Sequence, residues 1–143
     1  MRKYKLTKTK KECGYTLYQI EALTDIKLFN IKKGDKGGWV EKEDNLSQDG
    51  NAWVSGNALV FGNAWVCDDA HVSGNARVFD DVWVSGNACV SGNAWVYGHT
   101  RVSGRIKLVS ILCSRFDFEF DWQVKLWQKK EKEFEQEIKR RLK

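Results

Sequence analysis

The chain has 143 residues, with 24 Lys and Arg against 19 Asp and Glu, a net charge of +5, no proline and four cysteines. This length favours one domain with appendages, and no apolar run approaches the ~20 residues of a membrane-spanning helix. The basic N-terminus lacks the apolar core of a signal peptide, so we expect a cytoplasmic protein. The cysteines lack CxxC or Cys/His spacing, which predicts reduced thiols and no metal site; no motif indicates a cofactor.

Residues 1–38 are predicted to form an N-terminal hairpin cap. Apolar residues alternate with polar ones in KYKLT and in YTLYQIEAL, and Gly14 lies between the two stretches. Such a cap is expected because the open end of a coil of strands exposes unpaired backbone groups. Gly34, Gly37 and Gly38 mark the bend that leads from the hairpin into the next segment.

From Asn51 to Gly104 the chain repeats one six-residue unit nine times, beginning GNAWVS, GNALVF and GNAWVC. Side chains of an extended segment alternate in direction, so Ala52 and Val54 face one side while Trp53 and Ser55 face the other. Every unit has a valine preceded two positions earlier by a small or branched residue, and these two columns are predicted to fill a shared interior. Gly-Asn pairs form the corners because both residues tolerate positive φ. The pairs DD at 68–69 and 80–81 are predicted to act as turn residues in the same way.

The spacing of the aromatic residues predicts three units per turn. The residue after each valine is aromatic only at Phe61, Phe79 and Tyr97, which are eighteen positions apart. Trp65 and Trp83 have the same spacing. Three units per turn make a triangular prism of parallel strands, which we place at residues 39–109.

Residues 110–143 are predicted to form a separate C-terminal module. Aromatic residues alternate with polar ones from residue 116 to 126, which is typical of a long strand with two faces. Beyond it, apolar residues four positions apart in a Lys/Glu-rich stretch predict an amphipathic helix, with basic residues in its last turn. The residues of this module that we expect to contact a partner are Phe116, Phe118, Phe120, Trp122, Trp127, Phe134, Ile138, Arg140 and Arg141.

The repeat, in which an aliphatic residue such as Val54 is followed four positions later by a small one such as Ala58, resembles that of left-handed parallel β-helices. The segment KKGDKGGWVEKEDNLSQDGNAWV, residues 32–54, together with the repeats, resembles a family of small phage- and prophage-encoded repeat proteins. The resemblance implies an all-β solenoid: a short left-handed parallel β-helix with an N-terminal β-hairpin cap and a C-terminal strand plus α-helix. It also implies a phage or prophage protein in the cytoplasm of a bacterial host.

Stacking of the turns predicts an outward aromatic face as the interaction site. Its members are Leu59, Phe61, Arg77, Phe79, Trp95 and Tyr97. A patch this apolar rarely remains exposed to water. We expect it to pair with copies of itself in a homo-oligomer, a trimer or dimer; cover by the C-terminal segment and docking of a foreign protein are the other two options.

Three functions are compatible with these patterns. We predict a non-catalytic protein that binds and inhibits a host protein or ribonucleoprotein complex, for example a CRISPR immunity system. The resemblance also implies an alternative, a hexapeptide-type acyltransferase that would use His71 as its base; neither His71 nor His99 lies near a sequence-evident acid partner, however, so we expect no catalytic role for either. The third is a nucleotide or nucleic-acid binder, including a sponge for a signalling nucleotide, with basic ends. It is not favoured, because residues 45–104 carry two Arg against five Asp.

Overall fold

The computed structural model describes residues 2–12, 14–109, 112–113 and 117–118. It begins with a hairpin of two strands, β1 (Tyr4–Glu12) and β2 (Tyr15–Ala22), whose turn contains Gly14 with a φ of 82°. Strand β3 (Lys36–Val40) pairs antiparallel with β2 and parallel with the coil that follows. The predicted hairpin cap is therefore confirmed.

The coil consists of strands only two or three residues long, because each six-residue unit uses its other residues to turn a corner. In chain order these strands are β4 (Trp53–Val54), β5 (Leu59–Val60), β6 (Trp65–Val66), β7 (His71–Val72), β8 (Arg77–Val78), β9 (Trp83–Val84), β10 (Cys89–Ser91), β11 (Trp95–Val96), β12 (Arg101–Val102), β13 (Lys107–Val109), β14 (Leu112–Cys113) and β15 (Asp117–Phe118). Isolated strands of this length are not stable, so the coil depends on stacking between turns.

The strands form three parallel stacks, which are the three sides of a prism. The hairpin face contains β5, β8, β11 and β14, and is extended by β3, β2 and β1. The histidine face contains β4, β7, β10 and β13, and the tryptophan face contains β6, β9, β12 and β15. Four stacked strands on each side make a β-solenoid, as the repeat predicts; it has about four turns, whereas the nine repeat units alone account for about three. Its left-handed sense stays a prediction.

The predicted turn of eighteen residues is confirmed by the register, which pairs Val54 with Val72 and Val60 with Val78. The ends of the coil depart from this period. Val40 pairs with Val60, twenty residues on, because irregular residues fill the first turn. Strands β14 and β15 continue the stack past residue 109, where the sequence predicts that the coil ends. The other residues of the predicted C-terminal module, including its helix, lie outside the described residues.

The two predicted interior columns are buried throughout. The valine column consists of Val54, Val60, Val66, Val72, Val78, Val84, Val90, Val96 and Val102, and the small column consists of Ala52, Ala58, Ala64, Ala70, Ala76, Val82, Ala88, Ala94 and Thr100. Thr100 fits this interior because its hydroxyl donates to the carbonyl of Tyr97 at 2.9 Å. Burying one valine stabilises a fold by ~1.5–3 kcal/mol, so the valine column is the main apolar contribution to stability.

The corners need residues that adopt positive φ and permit close approach of the next turn. Asp68 and Asp80 have φ of 58° and 63°, and their carboxylates accept hydrogen bonds from the backbone N–H groups one turn later. Gly74 has a φ of 67°, and a Cβ added there would lie 2.9 Å from the backbone nitrogen of Gly92. The prediction that the aspartate pairs are turn residues is confirmed.

The hairpin closes the first turn of the coil with side chains that bond its exposed carbonyls. Tyr4 is buried and its hydroxyl donates to the carbonyl of Leu46 at 2.5 Å. Lys3 is also buried, and its Nζ donates to the carbonyl of Ala52 at 2.7 Å. Burial raises the pKa of Tyr4 to about 12 and lowers the pKa of Lys3 to about 8. The cap thus replaces the hydrogen bonds that a preceding turn would supply.

Helical structure in the described part of the chain consists of two short 3₁₀ helices, Lys27–Phe29 and Glu43–Asn45. No helix there has the length and apolar character needed to cross a membrane.

Two substitutions within one turn of the coil, one inward and one outward, test this inside and outside assignment. Val78→Asp places a carboxylate in an interior without polar partners and should lower the free energy of unfolding by about 3–5 kcal/mol. Ser73→Asp, on the outside of the same coil, should lower it by less than about 1 kcal/mol. Urea unfolding followed by circular dichroism measures both, and equal losses would show that the assignment is wrong.

Candidate functional site

The hairpin face carries the six residues predicted as the interaction site, and the N-terminal hairpin covers part of it. Leu59 and Phe61 are only 2% and 4% exposed, because Leu17 packs against them and the Tyr15 ring lies 4.7 Å from that of Phe61. The expectation of an outward surface open to another molecule is therefore wrong for Leu59 and Phe61. The coverings expected for this face were a second copy of the chain, the C-terminal segment or a foreign protein. The N-terminal hairpin, which covers Leu59 and Phe61, was not among them.

The part of the hairpin face that follows Phe61, with Arg77, Phe79, Trp95 and Tyr97, remains partly accessible. Phe79 stacks between Phe61 and Tyr97 at centroid distances of 5.0 and 5.3 Å, as the eighteen-residue spacing predicts. Arg77 bonds Glu12 of the hairpin at 3.0 Å and lies 5.2 Å from the centre of the Trp95 ring. Trp95 itself is 40% exposed. A role of this part in self-association stays a prediction.

The histidine face is covered at its first turns by residues 24–31. His71 lies between Trp53 and Cys89 in the stack, as predicted, and Phe29 stacks on its ring at 4.3 Å. Its Nε2 is 2.9 Å from the hydroxyl oxygen of Ser55. Burial lowers the pKa of His71 below its ordinary value of 6.5. These contacts hold the His71 ring in place, and Phe29 covers the ring surface that an acyl acceptor would have to reach.

The second histidine differs from its prediction. His99 lies at a corner, as predicted, but its Nδ1 is 3.4 Å from the carboxylate of Asp81, eighteen residues earlier. The expectation that neither histidine lies near an acid is therefore wrong for His99. Asn63 donates to the same carboxylate at 3.3 Å, and Tyr15 borders the cavity of about 360 Å³ at this corner.

Within the described part of the coil, the tryptophan face carries a pair of large exposed rings that contact each other. Trp65 and Trp83 are 41% and 38% exposed and stack on each other with a centroid distance of 5.2 Å and an angle of 21° between planes. Arg101 lies 5.4 Å from the centre of the Trp83 ring on the following turn. The Trp83 indole N–H donates to the sulfur of Cys67 at 3.3 Å, which fixes the orientation of the ring.

Two cavities open beside Trp65. One, of about 430 Å³, is bordered by Glu43, Asp44, Leu46, Ser47, Gln48 and Trp65. The other, of about 360 Å³, is bordered by Ser47, Asp49, Gly50, Trp65, Cys67, Asp68, Trp83 and Ser85. Within residues 2–12 and 14–109, no group of three or more His, Cys, Asp or Glu side chains is placed to hold a metal ion. The arrangement is suited to binding through aromatic rings and carboxylates.

Sequence reasoning noted the common column of Trp65 and Trp83 but did not select them as site residues. Their eighteen-residue spacing is the same signal that led to Phe61, Phe79 and Tyr97. The deciding fact, which face the hairpin leaves uncovered, depends on how the hairpin folds back over the coil. The predicted contact residues of the C-terminal module lie outside the described residues, apart from the backbone pairing of Phe118 with Val102.

Fold and register define this chain as a β-solenoid repeat protein. A family model described as the YdcK beta solenoid repeat matches residues 50–68, 70–86 and 84–104. A protein of Escherichia coli (strain K12), named "Uncharacterized acetyltransferase YdcK", is 34% identical over 71 residues. These are 43% of this chain and 21% of that protein, so the chain spans about a fifth of the length of its relative.

These comparisons support the solenoid fold that the resemblance implies. Phage or prophage origin stays a prediction, since neither comparison bears on it. The name of the relative fits the acyltransferase alternative and counts against the prediction of a non-catalytic protein, but it establishes no activity for this chain.

The buried His71 predicts a dependence of stability on pH. Because its pKa is lower in the folded chain than the ordinary 6.5, the unfolded chain takes up a proton first as the pH falls. The free energy of unfolding should therefore decrease from about pH 6.5 towards pH 5. His71→Gln, which keeps a hydrogen-bonding side chain beside Ser55, should flatten this part of the curve in urea titrations.

Ser73→Gln serves as the matched control, since it changes an outward residue of the histidine face and removes no titratable group. It should keep the slope of the unsubstituted protein. Equal slopes for His71→Gln and the unsubstituted protein would contradict the assignment of this titration to His71.

Proposed function

We propose that the protein is a non-catalytic binding scaffold whose tryptophan face contacts a protein partner. The observation that carries this proposal is the stacked pair Trp65 and Trp83, each about two-fifths exposed on a coil face where, among the described residues, the hairpin makes no ring contact. Trp and Arg are the residue types that most often dominate protein interfaces. Exposed indole rings on a short coil are costly in water and gain most from a partner.

Rigidity of the coil supports this use of the tryptophan face. Backbone hydrogen bonds join successive turns along the face, including Trp65 N–H to Val82 at 2.9 Å and Trp83 N–H to Thr100 at 3.0 Å. At the corners, Asn51 donates to Asp69 and Asn63 to Asp81 one turn later. Because the rings are already held in place, binding a partner costs this chain little further conformational entropy.

The more specific form of the proposal is that the protein is encoded by a phage or prophage and inhibits a complex of its bacterial host, such as a CRISPR immunity system. Its support is the resemblance of residues 32–54 to the phage-encoded family. The partner would then be a host protein or ribonucleoprotein complex in the cytoplasm. A homo-oligomer, a trimer or dimer, remains part of the proposal.

Loss of the stacked rings tests the binding function. The double substitution Trp65→Ser/Trp83→Ser should weaken partner binding by at least about 30-fold, the effect of losing one interface hot spot. The intact, tagged chain is used to capture partners from bacterial lysate, and quantitative mass spectrometry identifies them. One protein should be enriched by the unsubstituted chain and fall to background with the double variant.

Trp95→Ser is the matched control, because it removes an equally exposed ring from another face. The control should retain the same partner, and circular dichroism should show all variants folded. Retention by the double variant, or equal loss with the control, would contradict a role of the tryptophan face.

Acyl transfer is a second candidate, and two observations favour it: the name of the relative and the pairing of His99 with Asp81 beside an open corner cavity. In this reading Asp81 orients His99, which accepts a proton from the acyl acceptor. Release of coenzyme A from acetyl-coenzyme A, measured over candidate acceptors, should then require His99 and tolerate His71→Ala. Turnover that survives His99→Ala, or that His71→Ala abolishes, would contradict this assignment.

A further inference from the structure

Several tryptophans on the outside of the coil hold a cation of the same chain over the ring. The pairs are Lys10 with Trp39 at 4.4 Å, Arg101 with Trp83 at 5.4 Å and Arg77 with Trp95 at 5.2 Å from the cationic centre to the ring centroid. Cation–π contact of this kind stabilises a ring that is otherwise exposed. Among the residues that the structure describes, no cation of the chain lies over the Trp65 ring.

The surroundings of Trp65 explain this difference. One side of its ring stacks on Trp83, on the turn that follows. The preceding turn brings Asn45 into register with Trp65, since Leu46 pairs with Val66. Asn45 is buried and its amide donates to the carbonyls of Gly62 and Ala64, so its side chain is not available to cover the ring. Trp65 instead borders the cavity of about 430 Å³.

Carboxylates surround both cavities that Trp65 borders. Glu43 and Asp44 line the larger one, while Asp49 and Asp68 line the smaller one. Glu43 is paired with Arg2, whereas Asp44 has no ion-pair partner within residues 2–12 and 14–109. The Nζ of Lys3, the cation near Asp49, is bonded to backbone carbonyls. An anionic or apolar group would be disfavoured beside these carboxylates, whereas a cation would be attracted.

We propose that the larger of these cavities, hereafter the recess, binds an arginine side chain from a basic segment of the partner. The arginine would stack on the side of the Trp65 ring opposite Trp83. The guanidinium would extend the series that begins with Arg101 and Trp83. Its planar shape suits stacking on an indole ring, and its N–H groups can donate to the carboxylate of Asp44 and to the hydroxyl oxygen of Ser47. The proposal rests on the proposed function for the choice of face and adds the chemistry of the partner.

A peptide pair that differs only in charge tests the recess with the intact chain. Tetra-arginine amide is titrated against the protein at about 20 mM salt, where screening is weak, and the indole N–H resonances are followed by NMR. Tetra-citrulline amide, which has the same shape without the charge, is the matched ligand. We expect tetra-arginine to shift the Trp65 resonance saturably, and citrulline to produce no saturable shift.

Variants of the recess distinguish the contribution of the Trp65 ring from that of the Asp44 charge, and both from non-specific attraction of the peptide to the protein. Trp65→Leu should weaken tetra-arginine binding roughly tenfold, the usual range for losing a cation–π contact. Asp44→Asn should weaken it about threefold through loss of a charge-assisted hydrogen bond. Trp95→Leu and Asp25→Asn, which change a ring and a carboxylate outside the recess, should each leave binding within about twofold. The Trp65→Leu spectrum also assigns the Trp65 resonance.

Three results would overturn the proposal: equal binding of citrulline, equal effects of Trp65→Leu and Trp95→Leu, or the absence of saturable binding. None of them overturns the proposed function. If capture of the partner still depends on Trp65 and Trp83 while tetra-arginine does not bind, the recess proposal alone is wrong. If neither dependence is found, both are wrong.

Discussion

The backbone ladder between successive turns is the interaction on which the rest of the structure depends. Strands of two or three residues have too few internal contacts to be stable alone, and each becomes stable only by pairing with residues eighteen positions away. Within the repeat array the pairing requires that successive turns have the same length. It therefore requires corners that reverse direction in a fixed number of residues, and the positive φ of Gly74 and Asp68 meets that need. The valine column makes the stack stable by burying apolar surface along its whole length.

The repeat in the sequence was sufficient to predict the coil because one pattern specifies both the interior and the turn length. Val54 and Val60 alternate with outward residues, and Phe61 and Phe79 mark the period. The pairing of His99 with Asp81 could have been predicted in the same way, since the two are eighteen residues apart. Asp81 is far from His99 along the chain and becomes its neighbour only because one turn of the coil is eighteen residues long. A comparison of sequence neighbours alone therefore does not find this pair.

The coverage of the faces could not be predicted from the repeat. Leu17 and Tyr15 reach Leu59 and Phe61 because the hairpin folds back along one side of the coil, and no periodicity encodes that direction. Phe29 covers His71 for a similar reason, through an irregular segment without a repeat. As a consequence the candidate site differs from the predicted one: the predicted aromatic face is partly buried, with Trp95 still exposed, and the stacked pair Trp65 and Trp83 lies on the neighbouring face.

The three faces consequently have different roles in one small coil. The N-terminal segment uses the hairpin and histidine faces as surfaces on which to pack, and the first turn gains its missing hydrogen bonds from Lys3 and Tyr4. On the tryptophan face, Trp65 and Trp83 stack on each other and stay exposed. The family match lies within residues 50–104, the part of the chain that forms the regular turns. Specific function in such a scaffold depends on what departs from the repeat on its surface.

Cross-linking between turns measures the eighteen-residue period directly. In a background with the four native cysteines replaced by serine, Ser73→Cys/Ser91→Cys places two thiols on neighbouring strands of one face. Neighbouring strands are ~4.8 Å apart, within the range that a disulfide spans. Under mild oxidation of the folded protein, this pair should form an intramolecular disulfide, whereas Ser73→Cys/Ser85→Cys, on two different faces, should remain reduced. A disulfide in the second pair and free thiols in the first would contradict a coil of three sides.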